Sequence, residues 1–555
     1  MPIMGDGEFF FELRNMYGGI RQDLHDMSPR YTCIKNFHHA RLRALTKNTG
    51  YRVLNTGGAI SGSPAFDAGL YARFNNNTHK VYALAGTDSY IFNTDTFEFD
   101  AQSRTLTQSD NADIQLFANE VYIANGTQFE KHDGASTWAA VDGARETDDG
   151  SIEFPSPIGT MLAQHANRLI VSGRPSRPYE FYFSGVRDGG SWDVTNNKII
   201  VSGTEGELIT AIHELGDFLF VGTRTGMWLY QQSSANPKDW DHITLSEDIG
   251  PINDRSLFVI SRHGLKILCF WTDDGPACAY ARGHGSGGSV GWKPLWEPIV
   301  ESLRGKEIDQ VPALEENRFG DVSGGYQPFT DQACFGVREK GASERNGTIR
   351  FDVRGLIAYI KGDLDQPVVC FRDNSVTGVY PCDILFPVFV DKNGLLDVTG
   401  RPRLFGGRQG TIYELDPPDY FTDNGSAIPV NVIRGGFAGQ EEGIGGFNKV
   451  CQRSRVRGTQ SSNYSVTVTV ISDGGAEADS DAVSLDAGLG AWGDGGEWTA
   501  KASEGRWNES QVKYGRGNHG VHGQNFNVQI QDNGSINSDF ELIEISVAGL
   551  IYERL

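Results

Sequence analysis

The stretch His165–Asp193, HANRLIVSGRPSRPYEFYFSGVRDGGSWD, gathers the side chains best suited to chemistry in this sequence. His165, Ser184 and Asp188 are the residue types of a nucleophile, its general base and the group that orients the base. Spacing in sequence does not show that the three meet, and one local sign of a serine nucleophile would be a strained strand-to-helix turn such as G-x-S-x-G. No such elbow surrounds Ser184. The expectation is structural: His165 and Asn167 occupy a turn before a strand and cap backbone groups there. Arg168 and Trp192 then dress outer strands.

Metal and phosphate chemistry is equally unannounced. His38 and His39 are adjacent, so on a helix they point about 100° apart and suit an interface better than one ion. His519 and His522 form an HxxH pair in GRGNHGVHGQN, a glycine-flanked segment read as a loop with no carboxylate or thiol partner. SDGGAEADSD (472–481) is acidic and glycine-rich, lacks the EF-hand register, and reads as a solvated loop. GxxxxGK[ST] does not occur. No cofactor, metal or catalytic residue is assigned. The seven cysteines (33, 269, 278, 334, 370, 382 and 451) include no CxxC, and an odd count of scattered thiols predicts buried, reduced side chains.

The elements that would position these residues are strands. With 69 glycines in 555 residues, the chain has many turns and short elements. Helical periodicity is confined to Thr32–Leu45 and Pro298–Leu303. Short apolar runs closed by Gly, Asn or Asp recur, and units opening at Asn119, Asn167, Asp217 and Gly264 lie 48, 50 and 47 residues apart. Further copies start at His79, Gly347 and Arg401. Paired strands at a period near 45 residues predict an all-β fold, a β-propeller of six or seven blades. From about Gly425 the strands lengthen and alternate cleanly, as in an antiparallel β-sandwich, and the Gly- and acid-rich stretch 473–507 reads as long loops. The expected division is an extended N-terminal arm over 1–55, the propeller over 56–424 and the sandwich over 425–555.

Charge divides the chain the same way. There are 71 Asp and Glu against 49 Lys and Arg, a net charge of −22. A surface so acidic excludes wrapping of nucleic acid by the body of the protein, because phosphate neutralisation needs Lys and Arg. Between Met27 and Phe66 no Asp or Glu occurs, while Arg30, Lys35, Arg41, Arg43, Lys47 and Arg52 do. This basic arm predicts either a solvated strap on the acidic propeller or a contact with a neighbouring acidic subunit. The candidate inter-subunit residues are Arg21, Arg30, Lys35, His38, His39, Arg41, Arg43 and Lys47. No run of 18 apolar residues occurs, so no membrane insertion is expected, and MPIMGDGEFFFELRN lacks the basic and apolar blocks of a signal peptide.

Four motifs, in order, carry a resemblance. The arm contains Gly18-Gly19-Ile20, Pro29, Asn36 and Thr49-Gly50-Tyr51; next come HANRLIVSG with its trailing Ser and Trp, then GELITAIHELGDFLFVGTRTGMWLY with GPINDRSLFVISRHGLKILCFW, and last RPRLFGGRQGTIYELD. Over residues 17–416 this resembles the tail propeller proteins of tailed bacteriophages, the nozzle or tail tubular proteins of short-tailed phages. Thr49 stands where that pattern has a basic residue. The resemblance implies a virion structural protein made in the host cytoplasm. It would form a ring, usually of six copies, below the portal and adaptor, hold tailspikes or fibres, and pass genomic DNA without specific binding. An acidic lumen would let DNA slide, and the arm would strap subunits together. Arg187–Trp192 is also a partial, unrepeated match to the S-x-D-x-G-x-x-W turn of sialidase-type propellers. That turn is a structural device, not an active site. The alternative, a carbohydrate-binding or carbohydrate-degrading propeller (a host-surface depolymerase or adhesin), rests on ten Trp and nineteen Tyr that could supply sugar-stacking platforms.

Overall fold

A computed structural model describes residues 8–13, 31–35, 37–41, 44–105, 112–135, 137–141, 158–174, 176–193, 197–201, 207–282, 289–307, 311–373, 380–391, 395–397, 399–418, 422–423, 426–437, 447–460, 464–472, 477–485, 511–523, 526–532 and 540–554. Arg21, Arg30, Arg43, the Gly18-Gly19-Ile20, Pro29 and Asn36 positions, and 473–476 and 486–507 of the predicted loops lie outside them.

The hairpins of the sequence repeat form because their turns are built for strand twist. Ala118-Asn119, Ala166-Asn167, His263-Gly264 and Gln409-Gly410 all have positive φ at both central positions. That is the two-residue turn whose twist matches paired strands, and Asn or Gly at its second position tolerates it best. HANRL is thus a turn feeding a strand. Each hairpin belongs to a sheet with at least four antiparallel strands. Among the described residues seven such sets follow in chain order, four of them as separate four-stranded sheets and the others extended by further strands. The first strands of the seven are Phe66–Arg73, Asp113–Phe117, Met161–His165, Ile209–Leu215, Phe258–Arg262, Ser323–Gln327 and Ile384–Val390. Each touches the next, and the seventh returns to the first. The fold is a β-propeller, and apolar clusters fill the gap between every neighbouring pair of sheets. Trp192, for example, packs on Phe129 of the preceding sheet with ring centroids 5.7 Å apart.

Closure uses the N-terminal region. Strand Tyr51–Val53 pairs with Thr411–Leu415 and supplies the fourth strand of the seventh sheet. The rest of the arm also pairs within the chain. Tyr31–Lys35 lies between Val369–Asp373 of the sixth sheet and Val430–Phe437, so one sheet of nine strands runs from the propeller into the C-terminal region. Glu8–Leu13 and Ala44–Lys47 pair with the last strand, Phe540–Arg554, in a second sheet. Among its described residues, the arm thus contributes strands to sheets of both halves. The C-terminal strands and the fifth and sixth propeller sheets share one buried cluster, with Val432, Val468, Val528 and Val547 fully or almost fully buried.

Three local expectations are corrected. Within Thr32–Leu45 the described residues 32–35, 37–41 and 44–45 are strand, not helix, because they lie beside extended partners that take up their backbone groups. The unit starting at Gly347 is a strand followed by a helix, Val353–Lys361. Asp352 caps it by accepting the Gly355 N–H at 2.9 Å, Leu356 and Tyr359 face the core, and Gly362 ends it at φ +85°. Residues 478–485 are strand as well, with a carboxylate at every second position from 477 to 481.

Candidate functional site

The His165 segment separates its three candidates. Ser184 Oγ accepts the Leu169 N–H at 2.9 Å and donates to the Gly185 carbonyl, so it fastens one strand to the next. Asp188 accepts the Gly190 N–H at 3.0 Å within an exposed turn. His165 ends its strand, buried, edge-on to Trp240 at 5.4 Å, with neither ring nitrogen hydrogen-bonded. Burial lowers its pKa to about 4, against the opposing pull of Asp217. It is a neutral wedge between sheets and caps no backbone group. Trp192 is buried, its indole N–H donating to Gly189 O at 2.9 Å, instead of dressing an outer strand.

The seven first strands enclose a central channel of about 1040 Å³. Its charged groups come from several sheets. Arg255 reaches Asp67 at 3.3 Å, linking the fifth sheet to the first. Asp113 accepts the N–H of Leu162 in the next sheet at 2.7 Å and its neighbour Ile114 N–H at 2.7 Å. Asp254 accepts the N–H of Ile212, in the preceding sheet, at 3.2 Å. These carboxylates staple neighbouring sheets at the inner ring. Enclosure raises the Asp113 pKa to about 6, against its two backbone hydrogen bonds. Enclosure, together with the charge of Asp113, raises that of Asp254 well above the usual range. The charge of each carboxylate thus bears on the protonation of the other.

A second charged cluster lies where the propeller meets the C-terminal sheets. Arg350 and Asp416 pair at 2.7 Å, Arg372 pairs with Asp423, and Lys47 lies 3.5 Å from Asp532. All six side chains are at most 1% exposed. Tyr380 binds the cluster together: Arg350 Nη2 is 2.6 Å from its hydroxyl, and both guanidinium groups lie over its ring, at 5.6 and 5.1 Å. Burial lowers the Lys47 pKa while Asp532 holds the charge in place. Three cations thus meet three anions drawn from residues 47, 350–372, 416–423 and 532, and a buried charge so matched is tolerated where a lone one is not.

The candidate inter-subunit residues fall in different places. Lys35 ends the strand that joins the two halves, and His38, His39 and Arg41 lie in strand Phe37–Arg41, which pairs with Ala44–Lys47. Lys47 is corrected: it is sealed inside its own chain by Asp532 and presents nothing to a neighbour. The HxxH pair also changes. His519 and His522 lie in strand Gln511–Gly523, and His519 is buried with Nε2 2.7 Å from Ser454 Oγ. The described residues contain no group of three or more His, Cys, Asp or Glu placed to hold a metal ion. The described thiols are buried, and burial pushes that of Cys278 up to about 12. Among the described residues no helix is long and apolar enough to cross a membrane.

No family model and no curated protein matches the sequence. Among solved structures, the chain is similar to the extracellular domain of a hybrid two component system from B. thetaiotaomicron, at 11% identity and a TM-score of 0.38 over 70% of this chain and 46% of that one. It is also similar to YCF48 from Cyanidioschyzon merolae, at 8% identity and a TM-score of 0.37 over 66% of this chain and 99% of that one. The match to the first of these spans less than half of its length.

Proposed function

We propose that this chain is a structural subunit of a phage tail, a nozzle protein that assembles into a ring and conducts DNA. The supporting observation is the junction. Strand Tyr31–Lys35 is shared by both halves and joins the propeller to the C-terminal sheets. Beside it lie buried ion pairs, Arg350–Asp416 and Arg372–Asp423 tying the sixth propeller sheet to the seventh and Lys47–Asp532 tying strands of the C-terminal sheets. A part that must hold its shape while DNA passes needs such a union more than it needs a cleft. The net charge of −22 supports the same reading, since a carboxylate-rich lumen repels phosphate. In this reading Arg21, Arg30, Lys35, His38, His39, Arg41 and Arg43 remain candidates for the subunit contact. Adaptor or portal above and tailspike or fibre at the side are the proposed neighbours.

The test is assembly. Purified protein is expected to sediment as a closed oligomer and to image as a ring with a channel wide enough for duplex DNA. A stable monomer that cleaves polysaccharide would overturn the proposal. One observation favours the second reading, a carbohydrate-active propeller: the Asp113–Asp254 pair in the central channel, whose raised pKa values suit acid–base work. Polysaccharide turnover abolished by Asp254→Asn would establish it.

A further inference from the structure

The two sheets of the C-terminal unit meet at two corners. At the first, the chain itself turns the corner, from Tyr31–Lys35 in one sheet to Phe37–Arg41 in the other. At the second, the end strands are Ala478–Leu485 and Gln511–Gly523, and among the described residues no backbone ladder joins them. An unpaired strand edge is a template on which another chain adds a strand.

Side chains occupy that edge. Glu477 Oε2 accepts the His522 N–H at 2.8 Å, Asp479 Oδ2 accepts the Gly520 N–H at 3.0 Å, and Asp481 Oδ2 accepts the Asn518 N–H at 2.8 Å. Carboxylates at every second residue of one strand thus meet N–H groups at every second residue of the other, the period of a strand. The register of Gln511–Gly523 against Phe447–Gln460 shifts at this place, between Cys451 and Arg453. At that bulge His519 turns inward to Ser454, while the backbone N–H of Asn518 and that of Gly520 both face the carboxylates.

We propose that Glu477, Asp479 and Asp481 form an edge guard. Their oxygens stand in for the carbonyls of a missing strand, hold the corner closed and prevent a second copy of this chain from adding its own edge there. The charge serves the same end, because a second copy presents the same three carboxylates and like charges across an interface repel. The inference rests on the C-terminal sheets alone and is independent of the ring.

The test uses the full chain. In Glu477→Ala/Asp479→Ala/Asp481→Ala, hydrogen exchange of peptides covering 517–523 is expected to rise about tenfold or more, since each bond lost is charge-assisted. Peptides of the first four propeller sheets should exchange as before, and sedimentation should show concentration-dependent dimers that Gly520→Pro, by deleting the central N–H, suppresses. Unchanged exchange and unchanged association overturn the proposal, as do dimers that persist with the proline. Glu477→Gln/Asp479→Asn/Asp481→Asn keeps an oxygen acceptor at each position and is expected to stay closed; opening as complete as in the alanine variant overturns the carbonyl-substitute role. Should the triple alanine variant unfold, Asp479→Ala alone decides: faster exchange confined to 517–523 supports the guard, and no change overturns it.

Discussion

The central channel and the buried junction both gather carboxylates, and they treat them in opposite ways. At the junction Asp416, Asp423 and Asp532 each meet a buried cation. In the channel Asp113 and Asp254 are held mainly by backbone N–H groups, with the guanidinium of Arg255, paired to Asp67, nearby. Charge at the junction is matched and therefore required. Charge in the channel is undercompensated and therefore a strain that a proton relieves. The lesson is that a carboxylate's contribution to stability depends on its partners more than on its burial.

The largest effect that could break this contrast lies at the junction. Asp416→Ala leaves Arg350 buried without its partner, and chemical denaturation is expected to show a loss of about 3–5 kcal/mol. Replacing both partners, as Arg350→Met/Asp416→Leu, should recover most of it. A loss below about 1 kcal/mol for the single variant would put the pair among ordinary surface ion pairs and erase the contrast.

His165 sharpens the comparison with a buried titratable group that has no hydrogen-bond partner. Its folded pKa of about 4 lies below the ordinary value of 6.5, so folding favours the neutral ring. Stability is therefore full above pH 6.5 and is lost as pH falls from 6.5 through 4, by about 3 kcal/mol. His165→Leu should flatten that segment of the stability profile. An unchanged profile would remove His165 as its source.

In the channel the sign reverses. A carboxyl with a raised pKa destabilises the fold when ionised, and Asp254→Asn keeps an oxygen to accept the Ile212 N–H. That variant is expected to be more stable than wild type at pH 8, by about 1 kcal/mol, with a smaller gain at pH 5. Loss of stability at pH 8 would mean that the charge is needed there. The smallest effect is expected at the exposed turn: Asp188→Ala should change stability by less than about 0.5 kcal/mol, against about 1–2 kcal/mol for Ser184→Ala.

The repeat was legible because a hairpin is local. The turn at Asn167 and the strands beside it lie within thirty residues, and their spacing against Asn119 and Gly264 can be read directly. Lys47 was misread because its partner, Asp532, stands near the other end of the chain, and no local pattern reports it. The same distance hid Tyr51–Val53 as the strand that completes the seventh sheet. Deleting residues 1–52 would therefore remove that strand and the buried lysine together, so charge-reversal at Lys35 and Arg41 is the cleaner test of subunit contact. The edge at 477–481 was hidden by composition. Glycine and aspartate signal a loop, although Glu477, Asp479 and Asp481 already alternated with small residues as a strand does. For the channel pair the sequence offered only two aspartates beside apolar runs, and their meeting depends on ring closure.

Imaging and sedimentation of the intact protein test the central claim most directly. The account predicts a closed ring of several copies around an open channel, stable upon dilution. A protein that remains a monomer at every concentration, with no ring in the images, would contradict it.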